Sequence, residues 1–172
     1  MRLKLFLLWV FLPEVVFAQA LIPSEIAPPK GHTPYLTVYA EGVQIYQCTL
    51  NQGNYSWQVQ APEATLYNEK HEVIGNHYKG PIWEYKKGSH VVGNIMNSIN
   101  KTPMAISWLL VEVLSHQGDG PFSAASYINR FDTVAGLAPV NGCNANHLGG
   151  EKRVPYTASY LFYRAPNIEK SK

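Results

Sequence analysis

From Tyr35 onward the chain is written in short alternating runs. Val43-Gln44-Ile45-Tyr46-Gln47-Cys48-Thr49-Leu50 places Val43, Ile45, Gln47 and Thr49 on one face of a strand and Gln44, Tyr46, Cys48 and Leu50 on the other. The turn cluster Asn51-Gln52-Gly53-Asn54 follows, and Tyr55–Gln60 alternates again, which predicts an antiparallel hairpin. Further strands are predicted over 35–40, 64–67, 72–78, 82–85 and 90–96, separated by Gly42, Asn68–His71, Gly80-Pro81 and Lys86–Ser89. Ala105–Leu114 is the one long apolar run of the domain. Its length admits a helix, but Ile106, Trp108, Val111 and Val113 favour a buried strand. Ser126–Thr133 alternates, residues 135–152 form a glycine-rich loop without periodicity, and Val154–Tyr163 closes the pattern. The reading is all-β: a single antiparallel β-sandwich or barrel of about nine strands over residues 35–165.

The ends read differently. Arg2 and Lys4 precede an apolar stretch, Leu5–Phe17, and small residues follow, which is the layout of a secretory signal over 1–18 with cleavage after 18 or 20. The apolar stretch is shorter than the roughly 20 residues a bilayer span needs, and Glu14 interrupts it. No integral span is expected after cleavage, and the mature protein is expected to be exported, periplasmic or extracellular. Residues 19–34 carry Pro23, Pro28, Pro29 and Pro34 and read as an extended lead-in; 166–172 read as a flexible tail.

Charge narrows the partners. The formal net charge is +2, and loss of Arg2, Lys4 and Glu14 with the leader brings it to +1. Such a domain exerts no general pull on nucleic acid. In an oxidising compartment its two cysteines, Cys48 and Cys143, are expected to form one disulfide; the rival is a reactive thiol, for which there is no local signature. Asn54-Tyr55-Ser56 and Asn100-Lys101-Thr102 are sequons, of meaning only in a eukaryotic source.

Candidate chemistry is sparse. There is no serine-nucleophile elbow, dinucleotide fingerprint or phosphate loop, and no cofactor is expected. Six histidines are present, but none has metal-ligand spacing, so no metal site is expected. The densest polar–aromatic stretch runs from Ile74 to Glu84. His77 and Glu84 there would form a general acid–base pair if their strands are neighbours; the plainer reading is a turn-fixing His77, a core Trp83 and an exposed Glu84. Tyrosines and tryptophans along the strands would line a pocket or serve as core and cross-strand pairs.

Several stretches carry a resemblance. Glu41–Cys48, Ala61–Tyr67, Ile74-Gly75-x-His77-Tyr78-x-Gly80-Pro81-x-Trp83-Glu84, Ile106-x-Trp108-Leu109-Leu110, Tyr127-Ile128-x-Arg130 and Val154–Tyr163 resemble, in order, the domain of unknown function 3455 family, with Phe131 standing where that family usually has Val. The resemblance implies one domain, a paired Cys48 and Cys143 and an export signal. It brings no established activity. The favoured expectation is a non-enzymatic envelope or extracellular binding module for an undetermined ligand or surface partner, with Tyr46, His77, Trp83 and Glu84 on its binding surface. A hydrolase or isomerase using His77 and Glu84, and a structural or stress-related surface protein without a small ligand, are the alternatives. The oligomeric state stays open.

Overall fold

Pairing of the alternating runs closes a ring. A computed structural model describes residues 22–167; the expected leader, its cleavage points and residues 168–172 of the expected tail lie outside them. The strands are β1 (Thr33–Asn51), β2 (Asn54–Tyr67), β3 (Val73–Tyr78), β4 (Ile82–Tyr85), β5 (His90–Ile99), β6 (Trp108–Gln117), β7 (Tyr127–Ala135) and β8 (Glu151–Arg164). Each pairs antiparallel with its sequence neighbours, and β8 pairs back onto β1, giving a closed up-and-down barrel. The β-branched and aromatic run after Ala105 is strand β6, as its composition predicts. No helix among the described residues is long and apolar enough to cross a membrane.

The ten predicted segments form eight strands, in keeping with the expectation of about nine, because two pairs of them fuse. Segments 35–40 and 43–50 are one strand, β1, which runs straight through Gly42. Gly42 is needed there for close approach: a Cβ would sit 2.2 Å from the Glu63 carbonyl oxygen and 2.4 Å from Ala64 Cα. Likewise 55–60 and 64–67 fuse into β2 across Pro62. Proline is tolerated because β3 pairs with β2 only from Ala64 onward, so the missing N–H has no strand to serve on that side.

The barrel is filled at one end and open at the other. At the filled end the chain after β6 turns inward, and Phe122 enters the barrel and stacks on Phe162 with ring centroids 4.8 Å apart. Val38, Leu66, Val91 and Ile128 complete that packing, all of them fully buried. The proline-rich lead-in is extended apart from a single 3-10 turn, Ser24–Ile26, and it is not a free arm. Ile26 is buried on the outside of the barrel against Trp108, Leu110, Phe131, Leu161 and Tyr163, and its carbonyl accepts from Asn129 Nδ2 at 2.8 Å. Both faces of β7 and β8 are therefore covered.

Candidate functional site

At the open end the inward faces of the strands do not meet. They enclose a cavity of about 830 Å³, floored by Trp83, Tyr160, Leu109 and Val111. Alternation decides which side chains reach it. His77 lies opposite Trp83 across the β3–β4 pair, and both point inward. The His77 ring stacks on Trp83 at 4.3 Å and meets Tyr160 edge-on at 5.2 Å. Its Nδ1 lies 2.8 Å from the Ile82 carbonyl oxygen. A carbonyl only accepts, so Nδ1 carries the proton and Nε2 is left as an acceptor. Burial, opposed by that hydrogen bond and assisted by the Arg130 charge, pushes the His77 pKa down to about 3. The ring is neutral at physiological pH.

Arg130 is the charged group of the interior. It sits on β7 opposite Leu109 of β6 and Tyr160 of β8. Its Nε and Nη2 donate to the Ser107 carbonyl oxygen at 3.0 and 2.7 Å, which fixes the guanidinium plane at the cavity wall. Among the described residues it has no carboxylate partner; the ion pairs found there join Arg153 to Glu63 and Glu151 on the outside. The hydroxyls of Tyr156 and Tyr160 lie beside Arg130 and each other without a well-formed hydrogen bond, and burial raises the pKa of both. Gln44 Nε2 and Trp83 Nε1 are also buried and without a partner.

A tethered loop forms one side of the mouth. Residues 136–150 fold back over the ends of β1 and β2, where Cys143 forms the disulfide with Cys48 (S–S 2.01 Å). The Tyr46 hydroxyl donates to the Gly136 carbonyl oxygen at 2.6 Å, and Trp57 Nε1 donates to that of Asn141 at 2.9 Å. Gly136 has φ +80°, and a Cβ there would lie 2.7 Å from Tyr156 Cβ, so glycine is needed for the loop to leave β7 at this angle. Leu137 and Ala138 then line the cavity.

Of the four residues expected on a binding surface, the structure brings Tyr46, His77 and Trp83 together at the cavity. Glu84 is not among them. It follows Trp83 on β4 and so points to the outer face, where Tyr78 donates to its carboxylate at 2.5 Å. His77 and Glu84 are on neighbouring strands but opposite faces of the sheet, and the wall between them separates the acid from the base. Four other histidines are engaged locally: His32 Nδ1 meets the Pro29 carbonyl at 2.8 Å, His71 stacks on Tyr67, His116 Nε2 meets the Ala125 carbonyl at 2.6 Å, and His147 Nδ1 meets Asn144 Oδ1 at 2.9 Å. Among the described residues no three His, Cys, Asp or Glu side chains are gathered as for a metal ion.

Arg130 is the residue that reading the sequence left out of the site. The alternation gave little signal: in Ser126–Thr133, Arg130 shares a face with Ser126, Ile128 and Asp132, of which only Ile128 is apolar. Neither curated proteins nor solved structures yield a match to the chain. A family sequence model does match, over residues 28–164, a span that holds the whole barrel and every residue of the cavity wall; the chain belongs to the family described as Protein of unknown function (DUF3455).

Proposed function

We propose that this protein is an exported, non-enzymatic binding module that takes a small organic molecule into the open end of its barrel. The cavity is the observation that carries this reading. At about 830 Å³ it falls within the roughly 300–1,000 Å³ of small-molecule sites, and its walls combine aromatic and aliphatic surface with a few fixed polar groups. An eight-stranded barrel is the size that holds one small ligand when side chains do not fill it. A surface protein with no ligand would be served better by closing this end as the other is closed.

Chemistry at the site supports binding over catalysis. A histidine held near pKa 3 is too weak a base to abstract protons near neutral pH, and among the described residues no carboxylate lines the cavity with it. The disulfide is compatible with an oxidising, extracytoplasmic location. The barrel also inverts the pattern of a membrane-spanning one. Its packed interior is apolar, and β3 and β4 have six and four residues, short of the roughly 9–11 a spanning strand needs.

The test is titration of the full exported chain with the neutral fluorophore N-phenyl-1-naphthylamine. One saturable site is expected. Ala138→Trp, on the exposed loop at the mouth, is expected to weaken it by about tenfold or more by filling the entrance. Absence of saturable binding, or binding that ignores the blocked mouth, would contradict the reading.

A further inference from the structure

We infer that the ligand of this cavity is an organic anion, a carboxylate or sulfonate on an apolar body, with its charged group held inside the barrel at Arg130. The inference rests on the binding reading and specifies what is bound. Its first support is the sign of the lining: Arg130 and Lys79 face the cavity, and among the described residues no Asp or Glu does. Composition does not account for this, since the chain has 14 Lys and Arg against 12 Asp and Glu. Among the described residues the acids lie outside the cavity, which is left with uncompensated positive charge.

Its second support is the state of Arg130. Two hydrogen bonds to the Ser107 carbonyl oxygen fix the guanidinium without neutralising it. A guanidinium has five N–H donors in a planar fork, and the charge and the remaining donors have no carboxylate to meet among the described residues. A planar anion of the carboxylate type is the natural complement of such a fork.

A third support is independent of charge. Gln44 Nε2 and Trp83 Nε1 belong to buried residues that line the cavity, and neither has a partner. Both are donors only. Acceptor oxygens are what such donors lack, and an anionic group such as a carboxylate or sulfonate brings the most of them. At the mouth the chemistry changes. Val59, Ile95 and Leu137 line the cavity yet remain 59%, 53% and 42% exposed, forming an apolar rim. The charged head therefore belongs inside and the apolar body toward the rim.

Two probes with the same ring skeleton separate the claims: 8-anilinonaphthalene-1-sulfonate, and N-phenyl-1-naphthylamine, which lacks the sulfonate. Wild-type protein is expected to bind the sulfonate at least about tenfold more tightly. In Arg130→Gln the ratio of the two affinities should fall toward one, and Arg130→Lys should keep part of it by keeping the charge. Should Arg130→Gln fail to fold, the wild-type chain still decides: decanoate should displace the neutral probe at a lower concentration than 1-decanol does. Equal binding of both probes, or a preference that survives Arg130→Gln, overturns the anion inference and leaves the binding reading standing. Failure of both probes to bind overturns both.

Discussion

His77 is a histidine that this fold keeps uncharged, and that has a consequence for stability. Its folded pKa, near 3, lies below the ordinary value of 6.5. Between these values the unfolded chain binds a proton that the folded chain refuses, so stability is lost as pH falls through that window. At about 1.4 kcal/mol per pH unit the loss is on the order of 3 kcal/mol by pH 4. His77→Phe keeps a flat ring on Trp83 but leaves the Ile82 carbonyl without its donor, so it should be less stable than wild type at pH 7. It should also lose less between pH 7 and pH 4. Urea melts at the two pH values measure both effects, and equal acid losses in the two proteins would show that His77 does not resist protonation. Single residues were legible in part. Tyr46, His77 and Trp83 stood out as aromatic or titratable groups on predicted strands. Glu84 was misplaced because adjacency in sequence is opposition across a sheet, and only the register says which face is inside. Arg130 was passed over because β7 is covered on both sides, which blurs its alternation.

At the level of elements, most strands were visible as alternation, and their ends as Gly, Pro and Asn clusters. What stayed hidden were the two long strands. Gly42 and Pro62 read as punctuation, yet each sits inside a continuous ladder for a reason of three-dimensional neighbourhood: a close crossing for Gly42, an absent neighbour for Pro62. The lead-in was legible as extended but not as part of the core, since one residue, Ile26, does most of its packing. The 136–150 loop has no periodicity and could not be placed from sequence beyond its cysteine. Its role is mechanical, because the disulfide pins one side of the mouth across a sequence separation of 95. Replacing both Cys48 and Cys143 by Ser should cost about 2–5 kcal/mol of stability. It should also speed amide exchange over 136–150 and weaken binding of the neutral probe, because Leu137 and Ala138 lose their tether. Loss of stability with loop exchange and binding unchanged would mean that the loop is no part of the site.

On the scale of the whole molecule, one end of the barrel is filled by Phe122 and its neighbours, and the other is left open with a half-buried cation, Arg130. The class of fold followed from local pattern. The choice of a barrel over a sandwich did not, because it depends on β1 pairing with both β2 and β8, a contact between the two ends of the chain. The cavity was equally invisible, being space left by side chains from every part of the ring. The most direct measurement is a crystal structure of the protein with 8-anilinonaphthalene-1-sulfonate bound. The account predicts one molecule inside the open end, its sulfonate hydrogen-bonded to Arg130 and its rings reaching past Trp83 toward Val59, Ile95 and Leu137. A molecule bound only to the outer surface, or an interior closed by rearranged side chains, would contradict it.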